Sequence, residues 1–309
     1  MVHQSVRSFD STSCQELFKK VARSFLVAGL VAVGLSTQAH ALAVYGLTDS
    51  GSLVAFDSAS PTSIRSTVAV SGLGSGTSLV GIDFRPATGQ LYGLSSDSRL
   101  YTINLASGLA TAVGSAGAFT LGGGSYGFDF NPTVDRIRAV STTDQNLRLN
   151  PNDGTLAATD GTLAYAAGDR NAGANPNIAG AAYTNSFAGA TTTTLYDIDS
   201  ALGILVTQAP PNNGLLNTVG ALGVATSANI GFDIFFFGNQ AFASLGSDAA
   251  GYGFYGINLA TGAASLIGSF GNGLLIRDIA IAQVPEPSTM AIFGMGLLGL
   301  GLQLRRKRA

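Results

Sequence analysis

Gly81-Ile-Asp-Phe84 is one copy of a segment that recurs along the chain. The related copies are Gly127-Phe-Asp-Phe130, Gly231-Phe-Asp-Ile234 and Arg277-Asp-Ile-Ala280, and Ile178-Ala-Gly-Ala-Ala-Tyr183 takes the corresponding place without the aspartate. Successive copies begin about 46 to 52 residues apart, a period that is typical of β-propeller blades and not of helical solenoids. A β-sandwich, the alternative all-β fold, has no reason to repeat at this interval. The repeat therefore predicts an all-β propeller.

Each copy continues with short runs that are rich in β-branched and aromatic residues. After the first copy come Gln90-Leu-Tyr-Gly-Leu-Ser95, Arg99-Leu-Tyr-Thr-Ile-Asn104 and Ala110-Thr-Ala-Val-Gly114. Such runs, bounded by Gly, Asn and Asp, are typical of β-strands. We therefore predict four strands in each blade and five blades, with six blades as the alternative if residues 145–177 contain further strands.

The two ends of the repeat array are incomplete in complementary ways. Val44-Tyr-Gly-Leu47 and Ser52-Leu-Val-Ala-Phe56 have no starting strand before them, and the last starting strand, at 275–282, has no strands after it. Pairing these segments would build one blade from both ends of the domain and would remove an open sheet edge. The sequence therefore predicts closure of the propeller by its N- and C-terminal strands.

Residues 44–283 contain an unusual set of ionisable side chains. Eight Arg against fifteen Asp give a net charge of about −7, and the region has no Lys, Glu, His or Cys. An acidic domain without clustered cations is a poor nucleic-acid binder. The lack of imidazole and thiol groups excludes Ser-His-Asp and Cys-His catalysis, His/Cys metal sites and disulfide bonds in this region.

Residues 1–43 have the pattern of a secretion signal peptide. Lys19, Lys20 and Arg23 precede an apolar run of residues 25–35, which is too short to span a bilayer. Ala39-His-Ala41 supplies the small residues of a cleavage site, and Ala41-Leu-Ala43 is the alternative site. We expect the mature domain to be exported across the inner membrane.

The other end of the chain has three parts in a defined order. Pro285, Glu286 and Pro287 are followed by an uncharged segment at 288–304 and then by the basic cluster at 305–308. The uncharged segment is just long enough to predict a transmembrane helix, with the basic cluster in the cytoplasm. The three parts together resemble the PEP-CTERM sorting signal of Gram-negative bacteria. That resemblance implies processing by an exosortase, and association with exopolysaccharide.

The middle of the chain resembles a second family. Asp129-Phe-Asn-Pro-Thr-Val-Asp-Arg-Ile-Arg138, Asn146-Leu-Arg-Leu-Asn-Pro151, Ala182-Tyr-Thr-Asn-Ser186, Thr194-Leu-Tyr-Asp-Ile-Asp199 and Gln208-Ala-Pro-Pro-Asn212 are similar to motifs of domain of unknown function 4394. The resemblance spans roughly 44–283 and implies a secreted, propeller-like domain. It brings no established activity and no catalytic residues. The predicted domains are therefore 1–43, 44–283 and 284–309.

The recurring aspartates are the first candidate site. If each repeat starts with the innermost strand, Asp83, Asp129, Asp233 and Asp278 approach the central channel, where carboxylates could bind a cation such as Ca²⁺. The alternative is that each aspartate accepts hydrogen bonds from the backbone of its own or a neighbouring blade. No other cofactor is expected.

Half of the arginines of the domain lie close together in the sequence, and they form the second candidate site. Arg136, Arg138 and Arg148 lie near Asp135, and a polar loop at 169–177 adds Asp169 and Arg170. Arginine forks could bind the carboxylates of an acidic polysaccharide. The alternative is Asp–Arg pairing that ties the blades together. Asp197-Ile-Asp199, by contrast, is predicted to be a strand end and not a catalytic acid pair.

Two classes of function fit this sequence. The first is a monomeric, non-catalytic binding protein of the cell surface or extracellular matrix. The second is a propeller enzyme that uses carboxylates to cleave glycosides or lactones. Glycoside cleavage needs two carboxyl groups, one of them held protonated, and a domain without Glu or His has few ways to provide them. We therefore predict the binding protein.

Overall fold

The computed structural model describes residues 41–282, which form 21 β-strands and three short 3₁₀ turns. The strands pair into five sheets, which are the five blades of a propeller. Residues 1–40 and 283–309, which include most of the predicted signal peptide, the Pro-Glu-Pro tripeptide and the predicted transmembrane helix, lie outside the described residues. Within the described part, no helix has both the length and the apolar character needed to cross a membrane.

Each blade is a meander whose first strand lies at the centre of the propeller. The first blade contains β21 (Ile276–Ile281), β1 (Ala43–Thr48), β2 (Ser52–Asp57) and β3 (Ser60–Ala69). The second contains β4 (Leu79–Phe84), β5 (Leu91–Ser95), β6 (Arg99–Ile103) and β7 (Ala110–Val113). The third contains β8 (Tyr126–Asn131), β9 (Arg136–Ser141), β10 (Asn146–Leu149) and β11 (Leu156–Thr159).

The last two blades complete the ring. The fourth contains β13 (Ile178–Tyr183), β14 (Leu195–Asp199), β15 (Ile204–Gln208), β16 (Leu215–Ala221) and β12 (Ala164–Tyr165). The fifth contains β17 (Gly231–Phe235), β18 (Gln240–Ser247), β19 (Gly251–Ile257) and β20 (Ala264–Ser269). The 3₁₀ turns lie at Pro211–Asn213, Phe237–Asn239 and Gly271–Gly273.

The fourth blade differs from the predicted four strands. Its extra strand, β12, pairs in parallel with the outer strand β16. The 145–177 stretch first completes the third blade with β10 and β11, and β12 then follows along the edge of the next blade. Gly214 allows this close approach, since a Cβ there would lie 2.2 Å from the carbonyl oxygen of Gly161. The extra residues thus widen one blade, and the six-blade alternative is wrong.

The inner strands pack directly against one another around the central axis. The glycine of the repeated segment makes this possible: a Cβ on Gly127 would lie 2.6 Å from the backbone nitrogen of Ala181 in the next blade. A Cβ on Gly231 would lie 2.5 Å from the nitrogen of Ile279. No real side chain tolerates such distances, so the repeat requires glycine where neighbouring inner strands touch.

The core lies in the layers between adjacent blades. Between the second and third blades, Tyr92 and Leu94 pack with Phe128 and Phe130, and all four side chains are buried. Between the fifth and first blades, the rings of Phe254 and Phe56 meet edge to face at 5.2 Å between centroids. Because the domain has no cysteine, burial of these apolar side chains is the main source of its stability.

The predicted closure is confirmed. β21 pairs with β1 in antiparallel register, with Val44 opposite Ile281 and Gly46 opposite Ile279. The last described residue, Ala282, donates its backbone N–H to the carbonyl of Ala43 at 2.9 Å. The first blade is thus built from both ends of the described chain.

Deletion of residues 276–281 should therefore unfold or aggregate the protein, because it removes the inner strand of the first blade and exposes the edge of β1. Thermal unfolding and light scattering would measure the effect. A matched deletion of 284–309 leaves every described strand in place and should keep the melting temperature of the parent. Equal melting temperatures for both deletions would contradict the closure mechanism.

Candidate functional site

Three of the predicted aspartates meet at the centre of the propeller. Asp83 of β4, Asp129 of β8 and Asp233 of β17 each contribute a carboxylate oxygen to a cluster in which these oxygens lie within 4.8 Å of one another. Each residue is about 1% exposed. We call these three residues the Asp triad. The Asp triad is therefore closed to solvent inside the propeller.

Each member of the Asp triad links its own strand to the next blade. Asp83 accepts the N–H of Phe84 at Oδ1 (2.7 Å) and the N–H of Phe130, in the third blade, at Oδ2 (2.8 Å). Asp129 accepts the N–H of Tyr183, in the fourth blade, at 3.1 Å. These bonds match the alternative in which each aspartate accepts hydrogen bonds from the backbone of its own or a neighbouring blade.

Asp233 repeats this arrangement at the closing blade. Its Oδ1 accepts the N–H of Ile234 at 2.6 Å, and its Oδ2 accepts the N–H of Ile281 at 2.5 Å. Asp83 accepts the N–H of the residue that follows Asp129, whereas Asp129 and Asp233 accept the N–H groups of the residues that follow Ala182 and Ala280. The fourth and first blades therefore carry alanine at the position where the other three blades carry aspartate. The ring has three carboxylates at this level.

Asp278 lies at a different level from the triad. Its Oδ2 accepts the N–H of Ile82 at 2.7 Å and its Oδ1 accepts the N–H of Ile279 at 2.9 Å. It therefore stands two residues earlier in its strand than the triad aspartates, an offset of about 6.6 Å along the strand. The expected equivalence of four aspartates is corrected to three plus one, because β21 is shifted relative to the sequence alignment.

Burial and mutual repulsion raise the pKa values of the triad. Loss of solvation raises the pKa of Asp83 well above its usual range, and the charge of Asp233 adds to this. Burial likewise raises the pKa of Asp129, with the charges of Asp83 and Asp233 acting in the same direction. For Asp233, burial raises the pKa to about 6 against the opposing N–H groups of Ile281 and Ile234. Three carboxylates this close together cannot all carry an uncompensated charge, so a bound proton or cation must neutralise part of it.

The triad should make stability depend on pH. An unfolded Asp titrates near 3.9, and a raised pKa in the folded state means that the folded protein holds its protons to higher pH. The protonated triad therefore contributes fully to the stability of the folded protein below about pH 4, and this contribution is lost as pH rises through 6 and above. In metal-free buffer, Asp129→Asn should therefore flatten the fall in melting temperature between pH 5 and pH 8. The exposed Asp248→Asn is the matched control and should keep the wild-type slope; equal slopes in all three proteins would contradict the assignment.

Two of the predicted arginines are held by a buried carboxylate. Arg138 is 2% exposed and donates to Asp160 at 2.6 Å, to Asn146 at 2.7 Å and to Asn212, in the fourth blade, at 2.9 Å. Arg148 forms a two-point contact with the same carboxylate, at 2.7 and 3.0 Å. Asp160 thus forms ion pairs with both arginines at the junction of the third and fourth blades.

The other predicted charges are also used within the fold. Asp135 pairs with Arg85 of the second blade, Arg136 donates to the carbonyl of Asp135, and Arg170 donates to the carbonyl of Val219. Asp169 accepts the N–H and hydroxyl of Thr218 at 2.6 and 2.7 Å, which ties the 169–177 loop to β16. Of the predicted arginines, only Arg138 and Arg148 share a partner. The structure therefore places the predicted charged residues at several separate contacts and not in one binding site.

Sequence reasoning missed the polar groups buried beside Arg138. Both carboxylate oxygens of Asp197 are buried without a hydrogen-bond partner among the described residues. Burial raises the pKa of Asp197 to about 8, although Arg138 opposes this shift. The sequence pattern that could have predicted this burial is the alternation of Leu195, Asp197 and Asp199 along one strand. Alternate residues of a strand share a face, so both carboxyls lie on the same inward face as Leu195. β14 does end at Asp199, as predicted, and Asp199 accepts the hydroxyl of Tyr165 at 2.6 Å.

Two surface cavities lie away from these buried acids. The first has a volume of about 560 Å³ and is lined by Gly89, Gln90, Leu91, Thr102, Ile103, Asn104, Leu105, Ala106, Leu109 and Thr111. The second, of about 310 Å³, lies among the loops that follow β4, β8 and β13 and is lined by Pro86, Ala87, Pro132, Thr133, Val134, Asp135, Ala188, Gly189 and Ala190. The first cavity has no charged residue in its wall, and the second has only Asp135.

Residues 52–280 match the family described as Domain of unknown function (DUF4394). The chain belongs to this family. Residues 283–307 match the PEP-CTERM protein-sorting motif, which follows directly after the described propeller. Both resemblances drawn from the sequence are thereby confirmed. The motif marks an exported protein that is sorted at the membrane of a Gram-negative bacterium, with an exosortase as its processing partner and a C-terminal membrane anchor.

Solved structures show only a distant likeness. A structural genomics protein of unknown function from Bacteroides thetaiotaomicron has 15% identity and a TM-score of 0.47, with 79% of this chain and 67% of that chain covered. The glutaminyl cyclase of Myxococcus xanthus has 11% identity and a TM-score of 0.41, with 66% and 90% covered. A putative 6-phosphogluconolactonase from Bacteroides uniformis has 15% identity and a TM-score of 0.39, with 78% and 71% covered. No curated protein matches the sequence. Likenesses of this size carry no argument about activity.

Proposed function

We propose that the propeller is a non-catalytic binding domain that holds exopolysaccharide at the cell surface after export. The observation that carries the proposal is the 560 Å³ cavity, whose wall contains amide, hydroxyl and apolar groups but no charged residue. A cavity of this size is suited to a small ligand or to a few units of a polymer. An uncharged wall can bind such a ligand but has no group for acid–base chemistry.

The wall of this cavity fits the surface of a sugar. Gln90 and Thr111 are exposed and can offer amide and hydroxyl groups that both donate and accept hydrogen bonds. Asn104 is also exposed and can donate through its amide nitrogen, while its Oδ1 accepts the N–H groups of Ala106 and Ser107. Leu109 is 50% exposed and supplies an apolar surface beside them. Sugar rings present hydroxyl groups at their edges and C–H groups on their faces, so the two kinds of wall residue match the two kinds of sugar surface.

The charges of the domain favour a neutral sugar over an acidic one. In the sequence, Arg138 and Arg148 are candidates either for binding polysaccharide carboxylates or for Asp–Arg pairing between blades, and in the structure both contact Asp160. Freeing them would leave Asp160, whose side chain is 6% exposed, as an unpaired buried charge, which is strongly unfavourable. A neutral exopolysaccharide could bind without breaking these Arg–Asp160 pairs.

The positions of the acids support a non-catalytic domain. A glycosidase places two carboxyl groups on either side of the scissile bond, within about 10 Å of each other. In this propeller the carboxyls with strongly raised pKa values, Asp129, Asp197 and Asp278 among them, are at most 4% exposed and accept backbone N–H groups or lie within a blade junction. A substrate cannot reach them without opening the fold.

Glycan binding by the purified protein would test the proposal. We expect Gln90→Ala combined with Thr111→Val to weaken binding of a neutral polysaccharide at least about tenfold, since each lost hydrogen bond contributes about 1 kcal/mol. Gln240→Ala, at an exposed residue outside the cavity, is the matched control and should bind like the wild type. A glycan array followed by titration calorimetry gives the affinities.

Two results would contradict this proposal. Equal affinity in the cavity variant and the control would place the binding surface elsewhere. Hydrolysis of a glycoside or lactone by the wild type, abolished by Asp129→Asn or Asp233→Asn, would favour the carboxylate-dependent enzyme instead.

A divalent cation in the Asp triad is a second proposal, favoured by the 4.8 Å grouping of three carboxylates. Ca²⁺ takes six to eight oxygen ligands, so three aspartates would form part of its coordination. Addition of Ca²⁺ at pH 7.5 should then raise the melting temperature of the wild type and leave Asp129→Asn unchanged. No shift in either protein would mean that protons alone neutralise the triad.

A further inference from the structure

Both ends of the described chain lie at one face of the propeller. The inner strands contact their neighbours in equivalent register, so they run in the same direction and the loops that follow them share one face. β21 ends at this face, where Ala282 donates to the carbonyl of Ala43. Leu42 packs there against a cluster that includes Phe235 and Phe236, at the end of β17. The chain therefore enters and leaves the domain at the same face.

This face exposes large apolar side chains. Phe237 is 71% exposed, Val134 is 55% exposed and Phe187 is 42% exposed. They lie in the loops that follow β17, β8 and β13, and the loops at Phe187 and Phe237 are joined by a hydrogen bond from Asn239 to Asn185 at 3.2 Å. We call the surface formed by Val134, Phe187 and Phe237 the apolar face. Exposed aromatic groups gathered in this way indicate an interaction surface.

The two faces of the propeller differ in charge. The loops after the inner strands, 85–90, 132–135, 184–194 and 236–239, contain only the paired charges of Arg85 and Asp135. The loops between third and fourth strands lie at the same end and add one exposed carboxylate, Asp153. On the opposite face, four of the five loops between second and third strands carry an aspartate, namely Asp49, which pairs with Arg277, and Asp97, Asp144 and Asp248. The apolar face is thus the one with less charge to desolvate.

The sorting segment follows directly in the sequence after Ala282, which lies at this face. Residues 283–287 are the only ones between Ala282 and the uncharged segment at 288–304. Five extended residues span at most about 18 Å, and the two prolines favour an extended chain. While the anchor is in the bilayer, the end of the described chain can therefore lie no farther than about 18 Å from the start of the uncharged segment.

We propose that the apolar face rests on the lipid bilayer while the C-terminal anchor is in place. Phe237, Phe187 and Val134 enter the boundary between headgroups and acyl chains, where aromatic and aliphatic side chains are stabilised. The acidic loops of the opposite face then point away from the membrane, where anionic lipid does not repel them. The domain is presented in one orientation during sorting, with its sorting tripeptide at the bilayer surface.

The chain contains no tryptophan, so a single introduced tryptophan reports its own position. The full chain with Phe237→Trp is reconstituted in phosphatidylcholine–phosphatidylglycerol vesicles, with and without lipids brominated on the acyl chains. Leu202→Trp is the matched control, because Leu202 is 43% exposed in a loop of the opposite face. Phe187→Trp serves as a second probe of the apolar face, and circular dichroism verifies that each variant folds.

We expect brominated lipid to quench the Phe237→Trp and Phe187→Trp emission at least about twofold and to leave Leu202→Trp unchanged. Absence of quenching in both apolar-face variants would overturn the proposal. A blue-shifted but unquenched emission would also overturn it, because protein, either a second copy or the chain's own terminal segment, would then cover the face. Equal quenching of Leu202→Trp would show that the domain has no preferred orientation on the membrane.

Discussion

The hydrogen bond that a buried aspartate accepts from a backbone N–H of the next blade is the interaction on which this propeller depends. Inner strands of neighbouring blades belong to different sheets, so no backbone ladder joins them. Their facing N–H groups would be buried without partners, which is costly. Asp83, Asp129, Asp233 and Asp278 accept these N–H groups, and each bridges two blades. Glycine in the same repeat lets the strands approach closely enough for the bonds to form.

This solution has an electrostatic consequence. Bringing three carboxylates within 4.8 Å raises their pKa values, so the centre of the domain must hold protons or a cation. The same residues would be the natural catalytic acids of a domain without Glu or His. Because they are sealed between the blades, the groups with suitable pKa values are the ones a substrate cannot reach. The burial of these acids is therefore the main structural support for the proposed binding function.

The arginines are used in a similar way. Arg138 and Arg148 meet at Asp160, and Arg85 meets Asp135, so the charges that the sequence brings together hold neighbouring blades to each other. The surface of the described domain has an uncharged cavity, an apolar face beside residues 42 and 282, at the two ends of the described chain, and an acidic face opposite. This distribution suits a domain that is tethered to a membrane first and binds a neutral polymer afterwards.

The sequence by itself determined the architecture: the spacing of Gly81-Ile-Asp-Phe84 and its copies indicated five blades, and the incomplete ends indicated closure. It also determined the sorting segment, because Pro285 to Pro287, an uncharged run and a basic cluster need no tertiary context to be recognised. Only the tertiary structure decided that Asp278 stands apart from the triad, that Asp160 holds two of the candidate arginines, and that Asp197 is buried with no hydrogen-bond partner among the described residues. These depend on strand register and on contacts between blades. One residue of shift in a strand turns a side chain to the other face, and partners such as Ile82 and Asp278, 196 residues apart, are adjacent only once the ring is closed.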